Sequence, residues 1–248
     1  MHRFSLIHVV VTSAALLFVA LGLPPGVAGA ECDDAKDTRE APTSHPDTSD
    51  WQPLLKPDLS NAQGAKKVWQ YKDGILTASK DKMLWTKKVY GDYVLDLEFK
   101  MGKAANSGVI IDCSDVDNWI PNSIEVQILH DEAEKWSDVA PTWHCGAIFG
   151  HKAPKKNAAQ KPGKWNRYTI TVRGPMIYVV LNDELVNVMD RRRYTSAKKN
   201  PDGSNIPPWL SKPVADLPQR GHIGLQGKHG GAPIYFRNMR IKTLPQKK

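Results

Sequence analysis

The sequence predicts an all-β fold, a two-sheet antiparallel β-sandwich of the jelly-roll type. Two observations carry this. Helix signals are nearly absent after residue 30, and the rest of the chain is a series of short alternating or β-branched runs cut by Gly, Pro, Asn and Asp. Many short strands at such spacing, with turn residues between them, pack as sandwiches or barrels.

Along the chain, residues 68–79 read as two short strands around Asp73-Gly74, a strong hairpin dipeptide. Residues 93–101 alternate, with Tyr93, Leu95, Leu97 and Phe99 on one face and Val94, Asp96 and Glu98 on the other. Further strands are expected at 107–112, 124–129 and 146–150. Residues 165–173 and 176–181 pair about Gly174-Pro175, Asn182-Asp183 turns the chain into 184–189, and 222–226 and 233–242 close the domain. The connections 131–145, 151–164 and 190–220 are too long for simple hairpins and are expected to shape a pocket.

The first thirty residues read as an export signal. Met1-His2-Arg3 is a short positive start, residues 6–23 are mostly apolar, Pro24-Pro25-Gly26 breaks the run, and Ala28-Gly29-Ala30 has the small–x–small form of a cleavage site. Residues 1–30 are therefore expected to be removed, leaving a periplasmic or extracellular protein with no stable membrane insertion. Residues 31–50 hold no apolar period and read as a disordered linker. Residues 51–246 show no second composition break and make one domain.

The chain has a formal charge of +8, and residues 1–30 carry one Arg and no acid, so the remainder stays basic. The bases are scattered, without zinc-finger spacing, a helix-turn-helix pattern or an RNA-binding aromatic signature, and no nucleic-acid partner is expected. Three cysteines are present. Cys113 and Cys145 fall at ends of predicted strands and would bridge if those ends are neighbours, with Cys32 left over.

Chemistry concentrates in the strand at 124–129. Alternation puts Glu125 and Gln127 on one face and Val126 and Ile128 on the other, so Glu125 is a candidate acid or base with an amide beside it. His222, Gly224 and Gln226 share a face by the same rule, and His229 sits in a glycine-rich turn. Asn106 and Ser107 open a strand and can offer hydrogen bonds to hydroxyls. Trp143 and His144 lie in a long connection, an aromatic beside a polar ring, as suits stacking on a sugar. Arg237 shares a face with Tyr235 and would pair with a carboxylate or stay solvated. The bland reading of each is a solvated strand face or a plain turn.

The order of these motifs is specific. Gly91-Asp92-Tyr93-Val94-Leu95, Asn106-Ser107-Gly108-Val109, residues 125–129, residues 146–150, Trp165-Asn166-Arg167-Tyr168, residues 181–186, residues 221–226 and Phe236-Arg237-Asn238 together resemble the 3-keto-disaccharide hydrolase family, over nearly all of 51–244. The resemblance implies a concanavalin-like jelly roll and an enzyme that cleaves 3-keto-glycosides or related disaccharides. In such sugars the ketone makes the C2 proton acidic, so a base can remove it and expel the C1 substituent, after which water adds. It implies Glu125, with Gln127 beside it, as the leading base or ligand-binding candidate, and His144, His222 and His229 as candidates for acid or ketone-polarising roles. Taken with the residue patterns, Glu125, His144 and His229 are the catalytic candidates and Asn106, Ser107, Gln127, Trp143, His222, Gln226 and Arg237 the substrate-binding ones. No cofactor is predicted, although a histidine–carboxylate cluster could hold a divalent metal ion that polarises the ketone. A non-catalytic carbohydrate-binding sandwich is the alternative.

Overall fold

A computed structural model of the chain describes residues 41–245. The expected export signal at 1–30 and the first half of the expected linker lie outside the described residues. Among the described residues no helix is long and apolar enough to cross a membrane.

The domain is the antiparallel two-sheet sandwich that the strand spacing predicts. Thirteen strands form it: β1 (Gln52–Pro53), β2 (Ala62–Gly64), β3 (Trp69–Lys72), β4 (Ile75–Ala78), β5 (Leu84–Tyr90), β6 (Tyr93–Met101), β7 (Asn106–Cys113), β8 (Ile124–Leu129), β9 (Trp165–Arg173), β10 (Met176–Leu181), β11 (Glu184–Asp190), β12 (Gly221–Leu225) and β13 (Ile234–Thr243). The larger sheet runs β11-β10-β9-β6-β13-β4-β3, with β1 added beside β13, and the smaller runs β2-β5-β12-β7-β8. The inner faces interdigitate into one core. β6 supplies Tyr93, Leu95, Leu97, Phe99 and Met101 to it, all nearly inaccessible, and β8 supplies Ile124, Val126 and Ile128 from the opposite sheet. The hairpin between β3 and β4 turns at Asp73 and Gly74, both at positive φ (51° and 74°), as a primed two-residue turn requires.

The structure corrects two expectations. Residues 146–150 are not a strand. Gly146 and Gly150 take positive φ, so the segment loops instead beside β8, joined to it by Gly146 N–H to Gln127 O and Phe149 N–H to Glu125 O. Residues 41–50 are not a free linker either. The His45 ring lies on the outer face of the larger sheet, 2.7 Å from Thr169 Oγ1, and its Nε2 accepts the Asp183 N–H at 3.1 Å. Arg167 ties down the same segment by donating to Pro46 O at 2.8 Å and to Asp96 Oδ1 at 2.9 Å.

The expected Cys113–Cys145 bridge is absent, and both thiols are free and buried. The smaller sheet stands between them. Cys145 belongs to the inter-sheet core, whereas Cys113 packs with Trp85 and Ile110 on the sheet's other side. A positive φ at Asp112 (53°) and a register shift against β12 break the alternation of β7 there and turn Cys113 outward.

Candidate functional site

The outer face of the smaller sheet is where polar side chains gather. β8 follows its period-two rule: Val126 and Ile128 go into the core, and Glu125 and Gln127 point to the other side. Its neighbour β7 runs antiparallel, with Gly108 opposite Gln127 and Ile110 opposite Glu125. The Glu125 carboxyl lies diagonally across Gly108, in space that a Cβ at residue 108 would fill by colliding with Oε1. Gly224 on β12 has the same use, because the Trp85 ring lies over its bare Cα. Glycine in a strand interior is otherwise unfavourable, so both positions mark close approach.

Loops wall this face into a cavity of about 520 Å³. One end is polar, with Asp81, Asn106, Glu125, Gln127, Gln226 and His229. The other is aromatic, with Trp119, Trp143, Phe149 and Trp209. Trp143 is 4.9 Å from Phe149 and 6.0 Å, edge-on, from Trp209 (ring centroids), making a corner. Ile120 and Trp209, 40 % and 48 % exposed, are the exposed large apolar residues of the described chain, and both stand at this cavity. An apolar recess with a few convergent polar groups is the usual form of a small-molecule site.

The electrostatics single out Glu125. Burial pushes its carboxyl up to about 8, and the negative charge of Asp81 adds to the effect. Among the described residues no cation pairs with it, so at neutral pH the group is mostly the protonated acid. Asp81 is itself engaged: its Oδ2 lies 2.6 Å from His229 Nδ1. A carboxylate only accepts, so Nδ1 carries the hydrogen, and Nε2 is the ring nitrogen left to take a proton from a ligand. Gln226 also lines the cavity, with Oε1 buried and lacking a hydrogen-bond partner.

Of the residues singled out from sequence, Glu125, Gln127, Asn106, Trp143, Gln226 and His229 meet in the cavity. Four lie elsewhere. His144 turns away from Trp143, with Nδ1 3.5 Å from Asp131 Oδ1. His222 faces the β2 side, its Nδ1 at 2.9 Å from Thr86 O, because register shifts on both flanks of β12 displace it from the Gln226 face. Ser107 Oγ donates to Gln226 O at 2.8 Å and is fully buried, bracing the backbone instead of touching the cavity. Arg237 is on the other sheet, paired with Glu98 at 2.6 Å and stacked 4.0 Å over Trp165.

Sequence reasoning missed Asp81, Trp119, His151 and Trp209. All sit in loops, where no period betrays direction. All three long connections border the cavity: 131–145 through Trp143, 151–164 through His151 before it runs along the larger sheet, where Lys155 N–H bonds Val186 O, and 190–220 through Trp209 and Leu210. Among the described residues no three His, Cys, Asp or Glu side chains converge to hold a metal ion, so the divalent ion left open by the sequence has no assembled donor set there.

An antiparallel two-sheet jelly roll carrying a cavity with a few convergent polar groups and an aromatic corner is a scaffold for a small-molecule site. Residues 46–242 match the model of the 3-keto-alpha-glucoside-1,2-lyase-like domain, and the chain belongs to that family. It is 48 % identical to a solved Parabacteroides distasonis ATCC 8503 protein called a "Putative glycosyl hydrolase", covering 78 % of this chain and 99 % of that one at a TM-score of 0.76. A second protein of that organism with the same description is 25 % identical over 79 % of this chain and 84 % of its own, at a TM-score of 0.58. No curated protein matches the chain.

Proposed function

We propose that the chain is an exported enzyme that cleaves 3-keto-glycosides in this cavity by elimination followed by hydration. The observation that carries the reading is a buried carboxyl, Glu125, held protonated at neutral pH in the same recess as the Asp81–His229 pair. In ordinary glycosidases two carboxyl groups work across the scissile bond. Here the residues suit a different division of labour. His229 Nε2, oriented by Asp81, takes the C2 proton that the neighbouring ketone acidifies. The electron pair forms the C1–C2 double bond as the C1–O bond breaks, and Glu125 gives its proton to the departing oxygen. Water then adds across the enone, hydroxyl to C1 and hydrogen to C2. This assigns Glu125 the acid role, where the family resemblance pointed to a base.

The family match and the relatives called "Putative glycosyl hydrolase" support this class of chemistry. The aromatic corner fits the apolar face of a sugar ring or its substituent. A second reading, a carbohydrate-binding module without turnover, is favoured by that corner alone. Incubating the protein with methyl 3-keto-α-D-glucoside and with methyl α-D-glucoside, and following methanol release, separates the two. Release from the keto sugar, lost in Glu125→Gln, is expected; binding with no release from either would leave only the module. Export is tested by sequencing the N-terminus of secreted protein, with cleavage expected after Ala30.

A further inference from the structure

His151 lines the cavity and has no part in the chemistry above. Its ring is 6 % exposed, with the Tyr194 ring edge-on at 6.1 Å. Behind it stands Asn200, whose Oδ1 lies 3.2 Å from His151 Nδ1. The direction of that bond is fixed by the rest of the amide. Asn200 Nδ2 donates to Gly150 O at 3.0 Å and to Ser204 Oγ at 3.0 Å, and a backbone carbonyl can only accept. The amide therefore cannot be reversed, Oδ1 faces the ring, and Nδ1 must be the donor. Burial holds the imidazole neutral, with its pKa down at about 4. A neutral ring with hydrogen on Nδ1 has a bare lone pair on Nε2, and no described residue donates to it.

We propose that His151 Nε2 is a fixed hydrogen-bond acceptor for a ring hydroxyl of the bound sugar, and that it dictates which way the sugar enters. An acceptor locked in this tautomer repels a carbonyl oxygen and attracts an O–H. The ketone of a 3-keto-sugar is thereby kept away from His151, and the amides of Asn106, Gln127 and Gln226 remain as donors for it. His151 is a positioning residue for the reaction proposed above, and the inference rests on that reading for the identity of the ligand.

The test is ¹⁵N NMR of histidine-labelled protein at neutral pH. In the free wild type, the His151 Nε2 resonance is expected in the unprotonated range and Nδ1 in the protonated range. A protonated Nε2 overturns the inference whatever the substrate. Methyl 3-keto-α-D-glucoside is then added to Glu125→Gln protein, for which binding without turnover is expected. Movement of Nε2 toward hydrogen-bonded values, with Nδ1 still, is expected. Saturation seen at other cavity resonances with Nε2 unmoved overturns the role of His151 and leaves the enzyme standing. Absence of binding overturns it too, and methanol release by the wild type then shows whether the enzyme reading has failed with it. In kinetics, His151→Phe should raise KM about ten-fold with kcat changed much less, the loss expected for one neutral hydrogen bond. An unchanged KM counts against the proposal.

Discussion

The Glu125 carboxyl rests on the bare backbone of Gly108, one strand over, and only the missing side chain at residue 108 lets it lie there. Gly108→Ala is accordingly expected to displace the carboxyl without unfolding the sheet, since the position is extended and alanine fits a strand. Turnover of a 3-keto-glucoside should fall on the order of a hundred-fold, the usual weight of a positioned acid. Circular dichroism should be unchanged. Full activity in this variant would mean that the carboxyl is not used where it sits.

Glu125 also burdens the fold. Its carboxyl titrates at about 8 in the native chain and near the ordinary 4.5 when unfolded, so between these values the native state holds the extra proton. Stability is thus present below about pH 4.5 and declines as pH rises toward 8, where the buried group must ionise. Glu125→Gln should remove that decline, gaining about 2–4 kcal/mol above pH 8 and little at pH 5, measured by urea unfolding. As an acid, Glu125 also requires kcat to fall as pH passes about 8. A rate rising through that range would make it the base.

His45 gives a dependence of opposite sign. Burial first, and the Arg167 guanidinium second, lower its pKa below the ordinary 6.5. The Thr169 hydroxyl donates to Asp96 Oδ2, so His45 donates through Nδ1 and accepts the Asp183 N–H through Nε2. Protonation removes that acceptor. Its contribution is complete above pH 6.5 and lost as pH falls toward the lowered value. Protection of the Asp183 amide, its exchange measured against the intrinsic rate, should weaken as pH falls below 6.5, and His45→Phe should abolish that pH dependence.

Trp209 stands half in solvent at the aromatic end of the cavity, so its truncation takes little from the core. Trp209→Ala should leave the melting temperature within a degree or two and weaken sugar binding roughly five- to fifty-fold by calorimetry, the range of a stacked ring. Equal affinity would exclude the aromatic corner from the binding site.

Arg191 and Asp112 form a fully buried pair at 2.9 Å, and Arg191 also donates to Leu217 O at 2.8 Å. Arg191→Met leaves Asp112 uncompensated and should cost about 3–5 kcal/mol in denaturant unfolding. Adding Asp112→Asn to that variant should recover part of the loss.

The sequence yielded the strands that obey a simple period. β6, β8, β9 and β10 fall at 93–101, 124–129, 165–173 and 176–181 because alternation or turn dipeptides bound them. β5 escaped, since its register slips between Trp85 and Val89 and breaks the pattern. The site was legible where it rides on β8, as with Glu125 and Gln127. It was illegible elsewhere for three reasons. A tight turn at Pro141–Trp143 sends Trp143 and His144 opposite ways. Period tells the face of a strand but not its sheet, which misplaced Arg237. Asp81, His151 and Trp209 come from loops whose direction is set by distant partners such as Asn200.

The separation of Cys113 from Cys145 by a whole sheet bears on where the chain can be made. No covalent staple joins the described residues, so the jelly roll rests on its packed core and strand ladders alone. Among the described residues it offers a reducing agent no bond to break. It should fold in a reducing cytosol as readily as in an oxidising envelope, and need no disulfide-forming catalyst in either.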